Sequence, residues 1–117
     1  MAREWVDKLV NGLKELGLSY EVEENVRIHI DDLVIQVSES GDGYTVTISV
    51  QLPPSEIDDV GRYVESYRKA LEIVSKLSGE IVYELDTSLP DYPFLYISRR
   101  YSDPNKMIEE LLSALRR

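Results

Sequence analysis

The chain has 117 residues, the length of one domain with its own core, and it is acidic, with 22 Asp and Glu against 13 Lys and Arg and a formal net charge of -9 at pH 7. This charge disfavours nucleic acid and anionic membranes as partners, because binding phosphate groups requires a locally positive surface, and it favours a basic polypeptide. No cysteine occurs, which excludes disulfides and thiol chemistry.

The first predicted element is a helix at residues 3–16. Its apolar residues recur at helical spacing, and Gly17 after them suits the left-handed turn that ends many helices. Gly12 lies inside this helix, where it either allows close packing or weakens the helix by about 1 kcal/mol relative to Ala. The apolar residues of this segment are Trp5, Val6, Leu9, Val10, Leu13 and Leu16.

The next stretch alternates apolar and polar residues, which is the period of strands with one buried face. Asp31-Asp32 suits a tight turn, and glycines at 41 and 43 are typical of a hairpin tip. Alternation is clearest in the last strand, whose Thr and Ser side we expect to face water. The predicted strands cover residues 20–23, 26–30, 33–37 and 44–52.

A stripe of apolar residues, spaced alternately by three and four, predicts one long helix after Pro53-Pro54. We expect this helix to begin near Ser55, a residue that suits a helix N-cap, and to run to about Leu77. We interpret the stripe mainly as the core-facing side of the helix, because the flanking strands supply a surface to cover. The stripe consists of Ile57, Val60, Val64, Tyr67, Leu71 and Val74.

The long helix carries more apolar surface than one sheet requires. Tyr63, Ala70 and Leu77 lie one heptad apart, and Ile73 lies further round the helix. Together with the stripe they widen the apolar arc to about 200°, whereas a helix on a sheet needs about 100°. The surplus predicts a partner interface, unless the terminal helices cover it.

Two further strands, at residues 81–85 and 94–98, are predicted to form a hairpin. The loop between them is apolar, aromatic and stiffened by prolines, so Tyr92 and Phe94 are a second expected contact with a partner, unless the loop is pinned onto its own core. A final helix follows, capped by the serine or aspartate that precedes Pro104. Its apolar face comprises Met107, Ile108, Leu111, Leu112 and Leu115.

The predicted order is helix, three or four strands, long helix, two strands and helix. It indicates an α+β fold for residues 1–117, a single two-layer domain with an antiparallel sheet of five to six strands, one long central helix and two terminal helices. In element order, size and acidity the chain resembles the type III secretion chaperone-like fold and the related YbjN-like proteins. The resemblance implies an often dimeric domain that binds other polypeptides and carries no catalytic centre.

Residues able to carry chemistry are few. His29 is the only histidine and lies on the polar side of a predicted strand, whereas a zinc site requires three or four His or Cys ligands. Adjacent carboxylates such as Asp58-Asp59 point in different directions, so adjacency alone makes neither an acid/base pair nor a magnesium site. The glycines at 41 and 43 join two strands, whereas a phosphate-binding loop leads from a strand into a helix. We therefore expect no catalytic residue, no cofactor and no metal, with a small enzyme of unrecognised carboxylate or His29 chemistry as the alternative.

These patterns together predict a non-enzymatic protein-binding module, chaperone-like or an adaptor, that forms a homodimer and receives a basic client. A structural or regulatory subunit of a hetero-complex is the other alternative. Because no apolar run has the length of a signal peptide or a membrane span, we expect a cytoplasmic protein with neither nucleic acid nor membrane as partner. Thirty per cent charged residues and no cysteine are compatible with a thermophilic source. The expected interface residues are Tyr63, Ala70, Ile73, Leu77, Tyr92 and Phe94.

Overall fold

The computed structural model of the chain describes residues 3–54, 60–89 and 91–116. Within these ranges three helices and six strands follow one another in the order that the sequence predicts. They are α1 (Glu4–Leu16), β1 (Ser19–Val22), β2 (Val26–Ile30), β3 (Leu33–Ser40), β4 (Gly43–Gln51), α2 (Gly61–Ser75), β5 (Glu80–Asp86), β6 (Phe94–Tyr101) and α3 (Pro104–Leu115).

The six strands form one antiparallel sheet in the order β1-β2-β3-β4-β6-β5. Side chains paired across neighbouring strands point to the same face, and Ile28, Ile35, Ile48 and Ile97 form such a file across β2, β3, β4 and β6. All four are fully buried, in one core with apolar residues of all three helices. The helices therefore cover a single face of the sheet, and the predicted two-layer α+β fold is confirmed.

Two strands are longer than the sequence predicts. β3 continues to Ser40, so that only Gly41 and Asp42 form the hairpin tip. β6 continues to Tyr101, because it pairs with β4 over its full length. Hydrogen bonding along a ladder does not depend on apolar alternation, the signal from which strands are predicted, so polar strand ends escape a sequence-based prediction.

The helix ends follow the predicted capping chemistry. Gly17 ends α1 with a positive φ of 70°, and the Asp103 side chain accepts a hydrogen bond of 2.9 Å from a backbone N–H in the first turn of α3. Gly12 allows α1 and α3 to approach closely, since a Cβ there would lie 2.3 Å from Cδ1 of Leu112. The predicted cap of the long helix, Ser55, lies outside the described residues.

The rotation of α2 about its own axis differs from the prediction by about 100°. The stripe that we expected to face the core is exposed apart from Val74, and the surplus face that we expected to meet a partner is buried or half-buried. Ile57, the first residue of the stripe, lies outside the described residues. The exposed stripe residues are Val60, Val64, Tyr67 and Leu71, and the residues in or beside the core are Tyr63, Ala70, Ile73 and Leu77.

Two features set this rotation. Arg99 on β6 donates hydrogen bonds to the carbonyl of Val74, at 3.0 Å from Nη2 and 3.2 Å from Nε, and to the carbonyl of Gly79, at 2.9 Å from Nη1. A cation thus holds the C-terminal end of α2, where the helix dipole favours it. Ala70, with its small side chain, is fully buried and lets the helix lie close on β4. An apolar arc of about 200° accommodates either rotation, so these contacts decide between the two.

Substitution of Gly79 by Ala should destabilise the fold. A Cβ there would lie 2.5 Å from the carbonyl oxygen of Arg100, a backbone atom of β6 that is held in the ladder. We expect a loss of about 1–3 kcal/mol in the free energy of unfolding, measured by urea denaturation.

The matched control for this substitution is Gly12→Ala. Its Cβ would meet the end of the Leu112 side chain, which can rotate away, and Ala favours the helix by up to about 1 kcal/mol. The loss should therefore be smaller than at Gly79. A Gly79→Ala variant as stable as the wild type would contradict the close approach of the two backbones.

Candidate protein-interaction surface

Exposed large apolar side chains are concentrated in one part of the molecule. Among the described residues ten such side chains are exposed, and nine of them lie between residues 60 and 92. They fall into three groups, on α2, on β5 and in the loop between β5 and β6. The nine are Val60, Val64, Tyr67, Leu71, Ile81, Tyr83, Leu85, Leu89 and Tyr92.

The apolar stripe, defined as Val60, Val64, Tyr67 and Leu71, runs along most of α2. At 100° per residue these four positions lie within an arc of about 60°, centred about 100° from the buried side of the helix. Val64 is the most exposed of them, at 58%. The stripe is therefore a lateral side of α2, next to the side that packs on the sheet.

A contact on the opposite side of α2 shows where the apolar stripe points. Lys69 Nζ lies 3.1 Å from Asp31 Oδ2, in the turn between β2 and β3, while α2 packs mainly on β4. In the strand order of the sheet, β6 and β5 lie beyond β4 in the other direction. The apolar stripe therefore faces the end of the sheet formed by β6 and β5.

β5 presents an apolar row, defined as Ile81, Tyr83 and Leu85, on the face of the sheet that the helices cover. The row pairs with residues of β6 that include the fully buried Ile97. Tyr83 and Leu85 are nevertheless each 58% exposed, because β5 is an edge strand and the helix layer ends before it. We call the apolar stripe and the apolar row together the α2–β5 surface.

The opposite face of β5 is acidic. Glu80, Glu84 and Asp86 lie there, paired with residues of β6 on the open side of the sheet. The hydroxyl and the backbone N–H of Ser88 donate hydrogen bonds to Asp86 Oδ1, at 2.7 Å and 3.0 Å, and these bonds lower the pKa of the Asp86 carboxyl. The strand that carries the apolar row on one face therefore carries negative charge on its opposite face.

The two predicted loop contacts lie in different places. Tyr92 is exposed, in a turn where its N–H donates to the carbonyl of Leu89 at 2.9 Å. Phe94 is the first residue of β6, half-buried, and its ring stacks on that of Tyr96 with centroids 6.1 Å apart. The register of β6 places Phe94 on the face of the sheet away from the helices, and therefore away from the α2–β5 surface.

The sequence does not predict the α2–β5 surface, for two reasons. The spacing predicts that the stripe faces the core and that the interface lies on the side of the helix where the structure buries Ala70, Ile73 and Leu77. The alternation at residues 81–85 predicted a half-buried strand. That β5 lies at the edge of the sheet depends on the strand order, for which the sequence offers no local signal.

A polar cluster fastens the C-terminal end of α2 to the sheet and to α3. The Glu110 carboxylate accepts hydrogen bonds from the Tyr101 hydroxyl at 2.6 Å and from the backbone N–H and hydroxyl of Ser78 at 2.8 Å and 2.7 Å. Burial and the bond to Glu110 raise the pKa of Tyr101 to about 12. Partial burial would raise the pKa of Glu110, but the hydrogen bonds from Tyr101 and Ser78 outweigh it and lower that pKa. The cluster keeps one wall of the α2–β5 surface in place.

His29 lies on the open face of the sheet, paired with Ser19 on β1 and Val34 on β3. Its Nε2 is 3.5 Å from Glu21 Oε1, the geometry of a surface ion pair when the imidazole is protonated. Over the described ranges, no group of three or more His, Cys, Asp or Glu side chains is close enough together to hold a metal ion.

A concave region of about 500 Å³ lies between α2, the turn after β2 and the end of α3. Much of the charge at its rim is paired within the chain, Lys69 with Asp31 and Arg68 with Glu72. The apolar residues at its floor are buried in the core. This cleft therefore offers less apolar surface to a ligand than the α2–β5 surface does.

Substitution of Glu110 by Gln should lower the stability at neutral pH by about 1–2 kcal/mol, because hydrogen bonds to a charged acceptor are weakened. The pKa of Glu110 is lowered in the folded chain, so its contribution is present above its ordinary value of 4.5 and is lost as the pH falls through the lowered pKa. The difference in thermal midpoint between wild type and variant should be constant from about pH 8 to about pH 5 and shrink at lower pH.

Glu109→Gln is the control, since it removes the same charge from the neighbouring, exposed position of α3. It should cost less stability at neutral pH than Glu110→Gln. A midpoint difference for Glu110→Gln that persists unchanged down to about pH 3 would contradict the role of the Glu110 carboxylate.

Comparison with family models gives no match, and comparison with curated proteins gives none either. Among solved structures the chain is similar to the crystal structure of YbjN, described as a candidate transcription regulator from E. coli, with 15% sequence identity and a TM-score of 0.49 over 93% of this chain and 90% of that chain. The resemblance in element order to the type III secretion chaperone-like fold stays an expectation. No helix in the described part of the chain is long and apolar enough to cross a membrane.

Proposed function

We propose that this chain is a non-enzymatic protein-binding module, chaperone-like or an adaptor, and that the α2–β5 surface holds its partner. The observation that carries the proposal is that two exposed apolar walls, the stripe on α2 and the row on β5, lie on the same side of the sheet in an acidic chain. Contiguous exposed apolar patches on small soluble domains mark interaction sites.

The free energy gained by burying this surface supports a protein partner. The seven side chains of the α2–β5 surface are each between 36% and 58% exposed, and burying the exposed part of each contributes about 1 kcal/mol. Several kcal/mol of this kind, spread over two elements, suits a polypeptide that covers both walls.

The charge of the chain favours a basic partner. The net charge is -9, and Glu80, Glu84 and Asp86 lie along the strand that carries the apolar row. Complementary charge raises association rates and suppresses wrong partners, so a partner with Lys or Arg beside its apolar residues fits best.

Self-association is the second candidate use of this surface. The three-and-four spacing of the apolar stripe is the spacing at which two helices pack side by side in a coiled coil. A second copy could place its stripe against the first, as the predicted homodimer requires.

Val64→Glu tests the proposal, because it places a charge at the most exposed position of the apolar stripe. The wild type should capture a defined partner from the source lysate, or form a dimer by size exclusion with light scattering, and the variant should lose that association by at least about tenfold. Circular dichroism and the thermal midpoint should show that the variant is folded.

The matched control is Val22→Glu, the same substitution at an exposed valine of β1, remote from the α2–β5 surface. It adds the same charge and should leave the association unchanged. A wild type that is strictly monomeric and captures nothing would contradict the proposal, and so would equal losses in both variants.

A further inference from the structure

The place beside α2 and above β5 is wide enough for one further helix. Neighbouring strands are about 4.8 Å apart, so β5 lies about 9.6 Å from β4, and α2 packs mainly on β4. The axes of packed helices are about 8–10 Å apart. A helix packed against the apolar stripe would therefore lie directly above β5 and its apolar row.

The two walls of this place have matching lengths. α2 has 15 residues and spans about 22 Å, and β5 has seven residues and spans about 23 Å. A helix that fills the place needs about 15 residues, or four turns. It would bury the stripe and the row at the same time.

We propose that this place is filled by an amphipathic helix of a partner protein, with a wide apolar face and basic residues on its flank. This inference rests on the proposed function and names the kind of partner. Within residues 1–117 the longest undescribed stretch, residues 55–59, is too short to supply this helix, at less than one and a half turns. The apolar sides of α1 and α3 are already buried in the core.

A second copy of the chain fits this place poorly. A helix there must contact the stripe beside it and the row beneath it, two directions about 90° apart, so it needs an apolar arc of about 100° or more. The exposed apolar arc of α2 is only about 60° wide, and Arg68, bound to Glu65 and Glu72, lies beside it. A copied α2 would bury these charges against one of the two walls, at a cost in desolvation.

The polar side of the partner helix follows from the charges around the place. Glu80 and Glu84 lie on the face of β5 that points away from this place, so they contribute to the negative field of the chain, whose net charge is -9, and not to direct contacts with the helix. This field would steer a helix with Lys and Arg on its flank towards the chain. The partner segment should therefore show apolar residues at i, i+3, i+4 and i+7 with basic residues between them.

Fluorescence anisotropy with labelled synthetic peptides tests this inference on the full chain. The probe is a helical Leu/Lys peptide of about 16 residues, half of them Leu, with an apolar arc of about 140°. One comparison peptide has the same composition with strictly alternating Leu and Lys, the pattern of a strand, and the other replaces Lys by Glu. The helical Leu/Lys peptide should bind at least about tenfold more tightly than either comparison peptide, and its helical circular dichroism should increase on binding.

Two variants report the two walls, Val64→Glu on α2 and Tyr83→Glu on β5. Each should weaken binding of the helical Leu/Lys peptide by at least about tenfold, while Val22→Glu should leave it unchanged. All three add a negative charge, so a purely electrostatic attraction of a basic peptide would become stronger in each. A loss of affinity in the two wall variants therefore identifies apolar contact.

Three outcomes would overturn the inference. The first is equal or tighter binding of the alternating peptide, which indicates strand addition to β5. The second is binding that Val64→Glu weakens but Tyr83→Glu does not, which indicates a helix or second copy on the stripe alone. The third is binding that neither substitution weakens. If lysate capture still depends on Val64 in these cases, the proposed function stands and only the helical partner fails. If neither capture nor dimer formation depends on Val64, the proposed function fails as well.

Discussion

The contact between Arg99 and the C-terminal end of α2 is the constraint on which the rest of the structure depends. Its guanidinium, half-buried on the helix-covered face of the sheet, donates to the carbonyls of Val74 and Gly79. A guanidinium stays charged and needs acceptors when it leaves water, and the carbonyls at a helix end need donors. This mutual requirement sets the rotation of α2, and the rotation decides which of its two apolar sides packs on β4 and which is left exposed.

The second feature that leaves the α2–β5 surface exposed is the difference in width between the six-stranded sheet and the layer of three helices. α1 and α3 approach each other closely where Gly12 meets Leu112, which narrows the helix layer. At the β1 edge the sheet ends in a strand of only four residues, which needs little cover. At the other edge β5 has seven residues and lies outside the helix layer. The part of the sheet that the helices leave uncovered therefore lies at this edge, beside the exposed side of α2.

Fold class and element order could be predicted because they follow from local patterns. Alternation through Ile28, Ile35 and Ile48 predicts strands with one buried face, and these residues are the centre of the core. The exposed surface could not be predicted, because each of its walls depends on contacts between distant residues. Val74 and Arg99 are 25 positions apart in sequence. The exposure of Tyr83 arises because β6 inserts between β4 and β5. The width of an apolar arc on a helix indicates how much of the helix packs against other elements, but it does not show which element each part of the arc contacts.

The acidic outer side of β5 has a consequence for solubility. An unpaired edge strand of seven residues is a template for edge-to-edge pairing between copies, the first step towards aggregation. An antiparallel pair of two β5 strands centred on Tyr83 would place Glu80 directly opposite Asp86 of the second copy, and like charges in that position destabilise a strand pair. The same strand that exposes an apolar row thus carries its own protection against aggregation, on the side of the sheet that the row does not use.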